Sequence, residues 1–117
     1  MAILNVEELK KQLVHAPDTI EFSDVMALID ANFAFTPTVF TNGKVENQEN
    51  QNNGSCKLLA LGQYLNLTNE QTLSLFGQYY RADVLGNPRG SDHANIRNFM
   101  ITGHDGVSFA VFPLLAK

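Results

Sequence analysis

Apolar residues recur at every third or fourth position in several stretches of the chain, and this spacing predicts amphipathic helices. Val25, Ile29 and Phe33 form one such apolar stripe. Residues suited to capping a helix precede these stretches, and they are Asn5, Ser23, Thr68 and Ser91. The pattern therefore predicts about five helices, at residues 5–15, 23–33, 55–66, 68–84 and 91–102.

Two further segments have the composition of β-strands. A hairpin is predicted near residues 38–46, where Asn42-Gly43 is a pair typical of a two-residue turn. A single strand is predicted near residues 107–112, where valine and phenylalanine are frequent. These segments together predict a small antiparallel sheet beside the helices. The expected fold is therefore α+β and helix-dominated, with a single domain that spans residues 1–117.

The segment between the hairpin and the third helix has a different composition. Residues 47–53 consist of asparagine, glutamine and one glutamate. Such a run lacks the apolar side chains that would pack against a core, so it predicts a mobile loop. It is too short to separate two domains.

Composition and charge narrow the function classes. Of the 117 residues, 44% are hydrophobic and 17% are charged, as in a globular domain rather than a disordered chain. The net charge of −4, without a basic stripe, argues against a nucleic-acid-binding surface. No apolar run approaches the roughly 18 residues of a membrane span, and charged residues at positions 7–11 interrupt any secretory signal. We therefore expect a cytoplasmic monomer with no nucleic-acid or membrane partner.

The single cysteine, Cys56, is the first candidate for chemistry. It falls in the first turn of the predicted third helix, where free amides and the neighbouring Lys57 would favour a thiolate. With His93 as base, oriented by Asp92 or Asn95, it would make a cysteine-dependent hydrolase or transferase. The alternative is an inert thiol that fills a small space in the core.

The second candidate is the polar segment at residues 87–97. On a helical wheel Asp92 falls near the centre of an apolar stripe, and a buried carboxylate needs a partner. These residues form either a helix-capping network or one wall of a polar pocket, in which helix starts at Ser55 and Ser91 face an anionic ligand. The candidate ligand-binding residues are Asn53, Ser55, Lys57, Arg81, Asp83, Asn87, Asp92, Asn95 and Arg97.

The sequence gives little support for a cofactor or a metal. It contains no glycine-rich phosphate loop and no nucleotide-binding fingerprint. Asp92, His93 and His104 could supply three metal ligands, but their spacing matches no specific metal motif. We therefore expect no cofactor and no metal, and a partner that is a small molecule or another protein.

Four separated motifs resemble the HopJ type III effector family, over roughly residues 17 to 112. They are Phe35-Thr36-Pro37-Thr38, Asn53-Gly54-Ser55-Cys56-Lys57, Tyr80-Arg81-Ala82-Asp83-Val84-Leu85-Gly86-Asn87-Pro88 and Ser91-Asp92-His93-Ala94-Asn95-Ile96-Arg97. The resemblance implies a bacterial protein of unknown molecular activity, which we interpret as a small binding or interaction module. It also leaves type III secretion possible. Two residues depart from the family's pattern: Arg89 stands where an acid is usual, and His104 stands where tryptophan is usual.

Overall fold

The computed structural model describes residues 5–117 and has the predicted helix-dominated α+β fold; the first four residues of the predicted domain lie outside the described part. Its α-helices are α1 (Val6–His15), α2 (Phe22–Asn32), α3 (Asn53–Tyr64), α4 (Asn69–Ser74) and α5 (Ala94–Thr102). Shorter helical turns are Pro17–Thr19 and Gly103–Gly106, both 3-10, and the π-helical Tyr79–Val84. The strands are β1 (Phe33–Phe35), β2 (Phe40–Asn42), β3 (Val45–Asn47), β4 (Val107–Phe109) and β5 (Leu114–Ala116).

Helix α3 lies at the centre of the core. Its consecutive residues Leu58, Leu59, Ala60 and Leu61 are all fully buried. A helix that is apolar on most sides must be covered on most sides, and α3 contacts α2, α4 and β5. Because α3 is held at the centre, its N-terminus lies in a fixed position beside the start of α5.

The three-stranded sheet has β2 in the middle, antiparallel to β3 and to β4. It confirms the predicted pairing of the hairpin with the C-terminal strand. The turn is displaced by one residue, because Asn42 pairs with Val45 and the turn consists of Gly43, with φ of +59°, and Lys44. Asn42 remains in the strand since its side chain is buried and donates to the Asn95 carbonyl at 2.7 Å.

A second sheet was not predicted. Strand β1 pairs antiparallel with β5, with Phe33 opposite Ala116 and Phe35 opposite Leu114. Each strand has three residues, which is too few for a clear alternation of apolar and polar positions. Phe33 also completes the apolar stripe of the preceding helix, so periodicity assigned it to that helix.

Helices α1 and α4 begin as the sequence predicts. The Asn5 side chain accepts a hydrogen bond from a first-turn amide of α1, and Thr68 forms a complete capping box at the start of α4. The predicted cap of the second helix is wrong, because α2 begins at Phe22 and Ser23 lies inside its first turn. Phe22 is held there by an edge-to-face contact with Tyr79, at 5.0 Å between ring centroids.

The predicted fourth helix is interrupted. Helix α4 ends at Ser74, and the chain turns through Gly77, with φ of +60°, before the π-helical turn that carries Val84. A Cβ atom on Gly77 would lie 2.7 Å from the backbone nitrogen of Phe22. The close approach of this backbone to the start of α2 therefore requires glycine.

The predicted cap of the fifth helix, Ser91, is also wrong. Helix α5 begins at Ala94, after His93 in the left-handed conformation with φ of +52°. Asp92 therefore lies before the helix and its side chain is 56% exposed, instead of facing the core. Its carboxylate accepts a hydrogen bond from the Arg97 guanidinium at 2.6 Å, which satisfies the charge at the surface.

The predicted loop at residues 47–53 is shorter in the structure. Asn47 is the last residue of β3 and is completely buried, whereas Asn53 is the first residue of α3. The segment that connects β3 to α3 is thus limited to residues 48–52. Burial of Asn47 is possible because other amide groups satisfy its side chain, as described below.

Candidate functional site

A cavity of about 410 Å³ lies between the starts of α3 and α5. Its lining residues come from four parts of the chain, and they are Phe22, Asn52, Gly54, Ser55, Phe76, Tyr79, His93, Ala94, Asn95 and Ile96. The volume is at the lower end of the range of about 300–1,000 Å³ that is typical of small-molecule sites. The cavity joins an aromatic wall to two helix N-termini.

Both helices reach the cavity through a residue in the left-handed conformation. Asn52 precedes α3 with φ of +56°, and His93 precedes α5 with φ of +52°. Neither helix has a side-chain hydrogen bond at its N-cap. The first amide groups of each helix are therefore without a capping side chain, and the positive ends of both helix dipoles lie at the same cavity.

A buried pair of asparagine side chains holds the two helix starts together. Asn95 Nδ2 donates to Asn47 Oδ1 at 2.9 Å, and Asn47 Nδ2 donates to Asn95 Oδ1 at 3.2 Å. Asn47 Oδ1 also accepts from Asn52 Nδ2 at 2.7 Å. Asn47 thus links the N-cap of α3 to the first turn of α5, and we call Asn42, Asn47, Asn52, Asn95 and Asn98 the asparagine cluster.

The same cluster fastens α5 to the three-stranded sheet. Asn42 Nδ2 donates to the backbone oxygen of Asn95 at 2.7 Å and to its Oδ1 at 3.2 Å. From the next turn of α5, Asn98 Nδ2 donates to the Asn42 backbone oxygen at 2.6 Å. Polar side chains therefore take the place of apolar packing where the sheet meets the helix.

His93 lies between the cavity and two carboxylates. Its Nε2 is 3.0 Å from Asp83 Oδ2 and 3.7 Å from Asp92 Oδ2. Its ring lies against Tyr79, with 5.4 Å between the ring centroids. Asp83, one of the predicted ligand-binding residues, therefore contacts His93 but does not line the cavity.

Three of the sequence-predicted residues line the cavity, namely Ser55, His93 and Asn95. The others lie outside the lining. Lys57 forms an ion pair with Asp30 at 3.0 Å and covers the Phe35 ring at 4.9 Å. Arg81 donates to the backbone oxygen of Ile20 at 2.9 Å, so both cations stabilise contacts between elements.

Arg97 organises the polar turn before α5. Its guanidinium donates to the backbone oxygens of Asp92, at 2.6 Å, and Asn87, at 2.9 Å. The hydrogen bond from Arg97 to the Asp92 carboxylate also lowers the pKa of that carboxyl group. Asn87, Asp92 and Arg97 therefore support the turn that ends at His93, which agrees with the capping-network interpretation for these three residues.

Cys56 does not have the surroundings of an activated nucleophile. Its side chain is buried in the hydrophobic core with 1% exposure, and it is not among the residues that line the cavity. Burial raises the pKa of its thiol to about 11, in the direction opposite to that of a catalytic thiolate. These observations favour the inert core thiol over the cysteine-dependent enzyme.

Alkylation tests the state of Cys56 directly. Because the pKa rises from 9.0 to about 11, we expect iodoacetamide to react at pH 8 at least about a hundredfold more slowly with the folded protein than with the chain in urea. The rate in the folded protein should still increase with pH above pH 9. A rate that is already independent of pH near pH 6 would contradict this expectation and restore the enzyme hypothesis.

A second cavity, of about 370 Å³, lies beside His104 and is lined also by Gly62, Gln63, Asn66 and Leu67. His104 Nε2 is hydrogen-bonded to Thr72 Oγ1 at 2.9 Å. Burial lowers the pKa of the His104 ring, although the Leu67 backbone and Asp105 act in the opposite direction. The folded protein therefore favours the neutral ring.

The depressed pKa of His104 gives an expected pH dependence. Since the unfolded chain binds this proton more readily than the folded protein, the free energy of unfolding should decrease as the pH falls from 7 to 5. The variant His104→Gln should show a smaller decrease than His15→Gln, a control at an exposed histidine. Urea unfolding at several pH values measures both, and identical pH profiles for the two variants would refute the assignment.

Residues 5–117 contain neither a metal-binding cluster nor a membrane-spanning helix. No group of three or more histidine, cysteine, aspartate or glutamate side chains in this range is placed to hold a metal ion. In the same range, no helix has the length and hydrophobicity required to cross a membrane.

The fold and the cavity define a small α+β domain with a concave, partly aromatic site. The sequence profile of the family described as HopJ type III effector protein matches residues 6–114, so the chain belongs to this family and the resemblance is confirmed. A crystal structure described as that of the unknown function protein VPA0580 is similar, with a TM-score of 0.95 and 46% sequence identity. The similarity covers 100% of this chain and 97% of that chain. No curated protein shows a significant match.

Proposed function

We propose that this HopJ-family protein is a small-molecule binding module and that the cavity between α3 and α5 is its binding site. The observation that carries the proposal is that one cavity gathers Ser55, His93 and Asn95 with two helix N-termini that have no capping side chain. Concave sites with a few convergent polar groups on an apolar wall are typical of ligand binding.

The lining supplies two kinds of interaction. Phe22, Phe76 and Tyr79 offer apolar and aromatic surface, and burial of such surface provides much of the affinity for small ligands. The hydroxyl of Ser55 and the amides at the helix starts supply hydrogen bonds that fix orientation. A ligand with an apolar body and a hydrogen-bond acceptor would use both.

A fragment screen monitored by amide NMR tests the proposal. We expect bound fragments to shift the backbone amides of residues 52–55 and 93–96. The variant Ala94→Trp should abolish these shifts, since Ala94 lines the cavity and is itself exposed, so that a larger side chain there blocks the entrance without entering the core.

The matched control is Ala31→Trp, at an exposed alanine of α2 that is not part of the lining. The natural chain has no tryptophan, so the introduced indole also reports the folded state of each variant by fluorescence. If no fragment shifts these amides, or if binding survives Ala94→Trp, the cavity is not the binding site.

A further inference from the structure

We infer that the ligand of this cavity is an uncharged aromatic ring that carries both a hydrogen-bond donor and an acceptor, as an aromatic amide does. The inference rests on the proposed function and adds the chemical class of the ligand. Its evidence is the angle between two aromatic rings of the lining, the pairing of the charges around His93 and the hydrogen-bonding groups that the lining leaves without a partner.

Two perpendicular rings lie side by side in the cavity wall. Phe22 and Tyr79 both line the cavity, with 5.0 Å between their ring centroids and an interplanar angle of 81°. A flat ring that stacks on one of them therefore meets the other edge-to-face, and both arrangements are favourable for aromatic pairs. A saturated ring of similar size has no flat face for stacking. This corner thus suits a flat aromatic body.

The charges around the cavity are paired within the protein. Among residues 5–117, no lysine, arginine, aspartate or glutamate lines the cavity. The two carboxylates beside His93 have partners, because Asp83 is 3.0 Å from His93 Nε2 and Asp92 accepts from Arg97 at 2.6 Å. These carboxylates and the positive ends of the two helix dipoles also act in opposite directions on a bound charge. A charged ligand would therefore lose hydration without gaining a free counter-ion, which lowers its affinity.

The lining offers an acceptor and a donor of hydrogen bonds that solvent can reach. Asn52 is exposed, and since its Nδ2 donates to Asn47, its Oδ1 is left as an acceptor. Ser55 is partly exposed, and its hydroxyl has no hydrogen-bond partner in the part of the chain that the structure describes. An amide group has both a donor and an acceptor, whereas a carboxylate only accepts and an amidinium only donates. The unused groups of the lining therefore match an uncharged amide.

The test compares three probes of the same shape by NMR titration of the intact chain: benzamide, the anion benzoate and the cation benzamidinium. We expect benzamide to shift the amides of residues 52–55 and 93–96. It should bind about tenfold more tightly than either ion, because the ions lose hydration that no free charge in the lining replaces. Benzoate or benzamidinium binding as tightly as benzamide would overturn the assignment of an uncharged ligand.

A fourth probe and a pair of variants test the aromatic corner. Cyclohexanecarboxamide has the same amide on a saturated ring and should bind about fivefold more weakly than benzamide. Equal affinity of the natural protein for both amides would refute the aromatic class, and this measurement does not depend on the folding of a variant. Tyr79→Leu should remove the difference, whereas Tyr64→Leu, at an exposed tyrosine outside the lining, should preserve it. A difference that survives Tyr79→Leu would contradict stacking at this corner.

The two proposals fail in different ways. If fragments shift residues 52–55 and 93–96 but benzamide has no advantage over the two ions or over the saturated amide, the inference fails and the binding site stands. If no probe or fragment shifts these amides, both proposals fail.

Discussion

Replacing Asn47 with alanine should lower the free energy of unfolding by about 3 kcal/mol, because the change leaves buried polar groups without partners. The Asn47 side chain exchanges two hydrogen bonds with Asn95 and accepts a third from Asn52. In the variant, Asn95 Nδ2 loses the one acceptor that the structure gives it, and Asn95 is 5% exposed. Water can compensate Asn52, which is exposed, so most of the expected loss concerns Asn95.

Urea unfolding followed by circular dichroism measures this effect. The control is Gln48→Ala, which removes a neighbouring amide whose side chain is exposed and should change stability by less than about 0.5 kcal/mol. Amide NMR should also show shifts at residues 52 and 95 in the Asn47 variant, since both helix starts lose a common anchor. A stability equal to that of the Gln48 variant would contradict the role given to the cluster.

Replacing Gly77 with alanine should destabilise the protein by about 3 kcal/mol, for a reason that concerns the backbone. Alanine at φ of +60° costs about 1–2 kcal/mol. The added Cβ would also lie 2.7 Å from the nitrogen of Phe22 and 3.1 Å from the oxygen of Ile20. Because both are backbone atoms, the backbone of residues 20–22 must move away from Gly77, which adds the cost of overpacking.

The matched control is Gln78→Ala, at the exposed next position. It should leave the unfolding midpoint nearly unchanged, whereas the Gly77 variant should unfold at a clearly lower urea concentration. Displacement of Phe22 should in addition perturb the cavity that this ring lines. A Gly77 variant with unchanged stability would show that the two segments are not in close contact.

Periodicity predicted the elements whose signals are local. The apolar stripes located the five α-helices that residues 5–117 form, and Thr68 marked the start of α4 because its cap involves residues within one turn. The starts of α3 and α5 were misplaced because each follows a residue in the left-handed conformation, Asn52 or His93. Neither residue resembles the serine caps that the sequence offers nearby, and tertiary contacts decide which conformation is adopted.

The residues that line the cavity were predicted in part. Ser55 was identified as a predicted helix start, and His93 and Asn95 as members of the polar segment at residues 87–97; all three line the cavity. Asn47 and Asn52 were missed, since a run of asparagine and glutamine looks too polar to pack. Their burial and bonding depend on Asn95, which is 48 residues from Asn47 along the chain. The high frequency of asparagine was the one available signal for this contact, because two asparagine side chains can each donate a hydrogen bond to the other.

The hydrogen bonding of the hairpin also has a consequence for chemical ageing. Asparagine followed by glycine is the sequence most prone to deamidation, in which the glycine nitrogen attacks the asparagine side-chain carbonyl. In this protein the Gly43 nitrogen donates to the Gly106 oxygen at 2.8 Å, and the Asn42 amide is buried and bonded to Asn95. The cyclisation of Asn42 with the Gly43 nitrogen therefore requires that these hydrogen bonds first break. The rate at which Asn42 deamidates during storage would therefore measure how frequently the hairpin separates from α5.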